Sequence, residues 1–207
     1  MIEKYWSRFP HNFDENQEYV VGKALLEDII EELGDLPELG KLVEFGCGTG
    51  YFTETIIQKT HHLVATDLSD ELLEMAKKRL DNNTAVIFQK ENCMASSFAS
   101  EKFDSVFMAN LIHVVDNPVK VLLECYRILK NGGMLIIVTY TNYGMNLMEK
   151  IKLAIRFLKT WGKPPKHTHV FSPERLASLM QDAGFTIEKS KLIGNRTKAL
   201  YLIGKKS

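Results

Sequence analysis

Between residues 42 and 140, short apolar runs alternate with stretches of helical periodicity, and this alternation restricts the fold more than any other feature of the chain. Leu42–Phe45, His62–Asp67, Ala85–Gln89, Phe103–Ala109 and Met134–Tyr140 are short and rich in Val, Ile, Leu or Phe. Such runs read as strands covered on both faces. The segments near 50–59, 70–81 and 118–129 read as helices, the last opened by Asn117 as N-cap with Pro118 at the first helical position. Asn131-Gly132-Gly133 is expected to end that helix and turn the chain into the fifth strand. Repeated strand–helix–strand units build a mostly parallel sheet with helices on both sides, a doubly wound, Rossmann-like α/β fold.

The two ends complete the architecture. Val20, Val21, Leu25, Ile29 and Ile30 recur at helical spacing, so residues 1–40 form a helical cap. Ser172-Pro173 opens a helix to Ala183, with Phe171 and Leu176 as a hydrophobic staple and Gly184 as its stop. Phe185–Leu192 and Lys198–Ile203 are separated only by a short turn at Gly194-Asn195, which permits an antiparallel pair alone. The expectation is one domain around a seven-stranded sheet: core 41–140, a helical lid insertion at 141–170, and a helix with an antiparallel hairpin at 171–207. A length of 207 residues suits one core.

Composition narrows the functional classes. Hydrophobic residues at 45% and charged residues at 25% are ordinary for a globular chain. Net charge is zero but uneven: residues 1–40 hold ten acidic and three basic residues, residues 145–207 four acidic and thirteen basic. That pattern reads as two solvated faces of opposite sign, or as a basic surface for an anionic substrate or a membrane. A dedicated nucleic-acid partner is not expected from balanced charge. Cys47, Cys93 and Cys125 make no metal-ligand or disulfide pattern. No run approaches the roughly 18–20 apolar residues of a membrane span, so a cytoplasmic protein is expected, with peripheral membrane contact left open.

The chemistry gathers where the first strand meets the first helix, in Val43-Glu44-Phe45-Gly46-Cys47-Gly48-Thr49-Gly50. Glycines there let the backbone turn sharply and let a ligand approach the peptide plane. The spacing is GxGxG rather than the GxGxxG of dinucleotide sites, and Glu44 precedes it. A carboxylate there repels a pyrophosphate and attracts the ammonium and sulfonium of S-adenosylmethionine. Asp67 ends the second strand, where its carboxylate can take both ribose hydroxyls. Asn92 and Cys93 follow the third strand on the same sheet edge and can flank the adenine.

With VEFGCGTG, VATDLSDELLEMAKKRL, FDSVFMANLIHVVDNP and YRILKNGGMLIIV in place, the chain resembles the class I S-adenosylmethionine-dependent methyltransferases, in the style of the small-molecule enzymes of ubiquinone and menaquinone biosynthesis. The resemblance implies that Gly46, Gly48 and Gly50 lie against the methionine moiety, that Asp67 holds the ribose, and that Leu68 and Cys93 border the adenine. It implies Asn110 beside the sulfonium, with Phe45, Cys47 and Leu111 in the same cofactor site. It also implies S-adenosylhomocysteine as product and a small-molecule acceptor. Asn92 stands where the family carries an acidic residue for the adenine amino group.

Methyl transfer from a sulfonium is an in-line displacement that needs no metal or covalent intermediate, so the enzyme aligns, dries the site and removes a proton where required. His113 is the leading candidate base because imidazole titrates near neutrality; packing or capping is its plainer role. His167 and His169 are the second candidates. Tyr5, Trp6, Phe13 and Tyr19 are placed to fold over the cofactor or into the core. Residues 146–161 read as an amphipathic helix with a basic face from Lys150, Lys152, Arg156 and Lys159: a substrate lid, a membrane-surface helix or a dimer contact. A nicotinamide-dependent oxidoreductase and a non-catalytic S-adenosylmethionine-binding module stay open as alternatives. The Ala109-Asn110-Leu111-Ile112 stretch lacks the Pro-Pro-aromatic motif of base methylation.

Overall fold

A computed structural model describes residues 3–207 apart from 7, 9–11, 82 and 166–167. Its elements run α1 (Glu3–Trp6), α2 (Phe13–Val21), α3 (Lys23–Gly34), β1 (Lys41–Phe45), α4 (Thr53–Ile56) with a 3-10 turn (Ile57–Lys59), β2 (His62–Asp67), α5 (Asp70–Arg79) and β3 (Val86–Lys90). They continue with β4 (Phe103–Ala109), α6 (Pro118–Ile128), β5 (Leu129–Thr141), α7 (Leu147–Trp161), α8 (Pro173–Asp182), β6 (Phe185–Ile193) and β7 (Lys198–Lys206). The seven strands form one sheet in the order β3-β2-β1-β4-β5-β7-β6. Pairs from β3 to β5 are parallel; β7 runs antiparallel to both β5 and β6.

The central strands are apolar on both faces. Along β5, Leu135 and Ile137 join one core, with Phe45, Met108, Leu200 and Leu202 under α6 and α8. Ile136 and Val138 join the other, with Leu42, Phe107 and Tyr201 under α3 to α5. Period-two alternation between two buried layers is what a doubly wound sheet requires. The caps act as read: Asn117 Oδ1 accepts from Lys120 N at 3.1 Å and Ser172 Oγ from Arg175 N at 3.2 Å. Phe171 and Leu176 are buried in one cluster. α5 is capped by Ser69, whose Oγ accepts from Leu72 N at 3.2 Å.

Two local expectations are corrected. The helix expected over 50–59 is only α4 and its 3-10 turn, because Thr53, Thr55, Ile56 and Ile57 are β-branched and Thr53 gives its hydroxyl to Glu44 at 2.7 Å. Asn131-Gly132-Gly133 does not end α6. The helix stops at Ile128, Leu129 pairs with Phe103, and the next pair is Ser105 with Met134, so residues 130–133 bulge from β5. Gly133 permits the bulge, since a Cβ there would sit 2.8 Å from the Lys130 carbonyl oxygen.

The opposite charges of the two ends meet in part. Glu32 on α3 accepts from Lys189 at 2.9 Å and from Lys191, both on β6. The strand order reverses at β1: the chain builds outward through β2 to β3 on one side and then crosses from β3 to β4 on the other, and the crevice at the carboxyl ends there is where such folds bind ligands.

Candidate functional site

A cavity of about 510 Å³ opens over the carboxyl ends of β1, β2 and β4. Its floor is made by turns. Gly46 N and Cys47 N both donate to the Thr66 carbonyl oxygen, at 2.8 and 2.9 Å, carrying the chain leaving β1 across the end of β2. This path takes Gly46 to φ 73° and Gly48 to φ 56°, in the left-handed region that favours glycine. A Cβ on Gly46 would press against Leu111 at 3.1 Å, whereas one on Gly48, which lines the cavity, would meet no protein atom within 4 Å. Backbone is therefore presented bare to whatever occupies the floor.

Asp67 stands on the wall with its carboxylate fixed by two backbone donors: Gly48 N to Oδ2 at 3.0 Å and Ser69 N to Oδ1 at 2.9 Å. Leu68 and Cys93 share that wall. Burial pushes the Cys93 thiol up to about 12, so it is a neutral contact. Glu44, 1% exposed, accepts from Thr53 Oγ1 at 2.7 Å. Burial, with the Asp67 charge adding to it, pushes the Glu44 carboxyl up to about 8, so it is mostly protonated at neutral pH. Asn110 closes β4 in a left-handed conformation, φ 56°. Its N–H donates to Val138 O at 2.8 Å and its Oδ1 accepts from Tyr140 N at 3.1 Å, and its side chain faces the Tyr140 hydroxyl.

A family model described as a methyltransferase domain matches residues 43–137, the span from β1 to β5 that builds this floor. The ubiquinone biosynthesis O-methyltransferase of Nitrosomonas europaea is 26% identical over 205 residues, covering 93% of this chain and 84% of its own. A SAM-dependent methyltransferase of Thermotoga maritima superposes with TM-score 0.75 at 24% identity, with 100% of both chains covered. The chain thus carries a methyltransferase domain over residues 43–137 and is similar to S-adenosylmethionine-dependent methyltransferases. A chain in the complex of the Haloferax volcanii Trm112 methyltransferase activator with its methyltransferase shares the fold, with TM-score 0.77 at 14% identity over 98% of this chain and 97% of that one.

Most residues singled out in the sequence of this methyltransferase reach the cavity: Glu44, Gly46, Cys47, Gly48, Asp67, Leu68, Cys93, Asn110, Leu111 and His113 all line it. Phe45, Gly50 and Asn92 do not. Phe45 points into the core under α6, and Gly50 packs toward Ala76 on α5. Asn92 turns its Oδ1 to Met94 N at 3.0 Å, and the preceding Glu91 reaches the wall instead. Glu91 is held by Gln89 Nε2 at 2.7 Å and Ser97 N at 3.0 Å.

The methyltransferase closes the cavity from above with side chains brought from far apart. Trp6 and Phe13 line it, while Tyr5 supports the lining by donating its hydroxyl to the Trp161 carbonyl oxygen at 2.9 Å; Tyr19 is 54% exposed. Trp6 packs edge-on against Trp161 with centroids 5.4 Å apart, and Phe13 lies 5.2 Å from the same ring. α7 contributes Lys150, Leu153, Phe157 and Trp161 to the lining. Arg156 does not face the cavity; its Nη1 donates to Tyr19 O at 3.2 Å and ties α7 to α2.

His113 Nδ1 lies 2.8 Å from Thr139 Oγ1, and its carbonyl oxygen accepts from His169 N at 2.7 Å. Burial, aided by the nearby His169, pulls the His113 imidazole down to about 4, so it is neutral at physiological pH. His169 also lines the cavity and bonds through Nε2 to Val115 O at 3.1 Å. His167 lies outside the described residues.

Sequence reasoning missed Gln17 and Tyr140. Both line the cavity; Gln17 Nε2 is buried with no partner among the described residues, and the Tyr140 hydroxyl lies beside the Asn110 side chain. Gln17 carried a signal: it shares the apolar stripe of Phe13, Val20 and Val21, where a polar side chain needs a purpose. Tyr140 carried none, since tyrosine is ordinary in strands.

Proposed function

We propose that S-adenosylmethionine binds on the cavity floor and that its methyl group passes to a small-molecule acceptor held beneath α2 and α7. The observation that carries this reading is Asp67, fixed on the wall by Gly48 N–H and Ser69 N–H beside backbone that no side chain covers. The residues present fit the cofactor. Glu44, Asp67 and Glu91 give the floor carboxyl groups suited to two ribose hydroxyls and, once Glu44 ionises beside it, to an ammonium. Gln17 Nε2, buried on the lining with no partner among the described residues, is a donor for a bound molecule.

In this assignment Gly46 and Gly48 border the methionine moiety, Asp67 takes the ribose, and Leu68, Cys93 and Glu91 surround the adenine. Asn110 and Leu111 lie toward the sulfonium. Bound there, the cofactor would supply an electrophilic methyl carbon on a cationic sulfur, open to displacement by an acceptor lone pair. Trp6, Phe13, Phe157 and Trp161 exclude water from that displacement and wall the acceptor. Residues 141–170 act as the lid that selects it.

His113 serves as a neutral hydrogen-bond partner for the acceptor. Its conjugate acid near 4 is too strong for the imidazole to hold a proton in neutral solution. Lys150 on the lining suits an anionic acceptor, and an O-methyltransferase stands among the relatives. Calorimetric titration with S-adenosylhomocysteine, comparing wild type with Asp67→Ala, tests the floor assignment; equal affinities would remove Asp67 from the site.

A further inference from the structure

α7 is apolar on two sides. Leu153, Phe157 and Trp161 face the cavity, yet Leu147, Ile151, Ile155 and Leu158, spaced four, four and three residues apart, face outward. These four are 74%, 46%, 47% and 52% exposed, and Met148 beside them is 61% exposed. Of the large apolar side chains the described residues expose, no other element holds so many. A helix that had only to roof the cavity would carry polar residues there. Lysines border the stripe: Lys152 and Lys159 on one side, Lys150 on the other and Lys163 past the end, all exposed. Among the described residues none of the four makes an ion pair, and Glu149 is the only carboxylate on the helix.

We infer that the outer face of α7 docks on an anionic lipid bilayer. An exposed apolar stripe flanked by lysines, with almost no opposing charge, is the pattern of a helix lying in the membrane interface. Charge decides between a bilayer and a second copy of the chain. A two-fold dimer on this stripe would bring lysine rows against their own copies with one glutamate per helix to offset them, whereas anionic headgroups complement every lysine. The surface is continuous with the cavity opening, since Leu158 and Lys150 belong to both, and Val170 on the cavity lining is 59% exposed. Docking would set that opening at the lipid surface. The inference stands on the outer face of the helix and not on the methyltransferase assignment of the floor.

The test is flotation of the full chain with phosphatidylcholine vesicles, with and without phosphatidylglycerol. Binding is expected with the anionic vesicles and lost in high salt. Lys152→Glu with Lys159→Glu alters no packed side chain, and each lost lysine should cost about fivefold in partition. Ile151→Ser with Ile155→Ser should also release the protein, at unchanged helicity by circular dichroism. Absence of binding to anionic vesicles would overturn the inference, as would binding untouched by both variants. So would a light-scattering dimer that the serine variant splits, since the stripe would then be covered by a second copy.

Discussion

The floor and the roof of the cavity are built in different ways. The floor rests on backbone: two left-handed glycines, two N–H groups fixing Asp67, and strand ends locked in register by the sheet. The roof rests on side chains from α1, α2 and α7, joined by ring contacts around Trp161 and single hydrogen bonds such as Arg156 to Tyr19 O. A backbone-built site tolerates little change and suits one invariant ligand; a side-chain-built site changes by single substitutions and suits a varied one. The two halves should therefore fail separately when mutated.

The largest effect is expected on the floor. Asp67→Ala should weaken S-adenosylhomocysteine binding by about 1.5–3 kcal/mol, the scale of hydrogen bonds to a charged group, while the protein still folds, at a melting temperature lowered by the loss of the bonds from Gly48 N and Ser69 N. Calorimetry and thermal melting together check it. Loss of folding instead would make Asp67 a structural residue of the turn.

Phe157→Ala sharpens the contrast from the roof. It should lower kcat/KM for the acceptor by about 1.5 kcal/mol, the lower end for burying an aromatic side chain, and leave S-adenosylhomocysteine affinity within about twofold. Equal damage to both ligands would mean that the halves are not separate.

Glu44 offers a pH test. Its carboxyl is held near 8, so below that pH it is protonated, and an ammonium bound beside it favours the carboxylate and releases the proton. Affinity for S-adenosylhomocysteine should rise as pH increases from about 6 toward 8, by at most about tenfold per unit, and then level off. Glu44→Gln should flatten the profile. A wild-type profile already flat would detach Glu44 from the amino group.

Tyr5→Phe carries the smallest effect. Removing the hydroxyl bonded to Trp161 O should cost about 0.5–1.5 kcal/mol of stability by denaturant unfolding. S-adenosylhomocysteine affinity should not change.

The same division explains what the sequence made legible. The floor is coded in contiguous stretches, so Glu44, Gly46, Cys47, Gly48, Asp67, Leu68 and Asn110, which line the cavity, were legible without coordinates. Its errors are errors of phase: once a strand ends, one residue decides which side chain faces the ligand. Glu91 is on the wall and Asn92 caps its own turn for that reason. Strand ends also hid the β5 bulge, which depends on Leu129 settling beside Phe103 across the sheet. Trp6 and Phe13 read as covering or core residues, and their partner Trp161 lies at the far end of another helix, so only tertiary packing brings the rings together. Nor could periodicity show that α7 has two apolar faces with different neighbours.

The separation of floor and roof is tested most directly by hydrogen–deuterium exchange with and without S-adenosylhomocysteine. The account predicts the strongest added protection at residues 46–50, 67–69 and 91–93, with a smaller change along 147–161. Protection centred on 147–161 with those turns unchanged would contradict it.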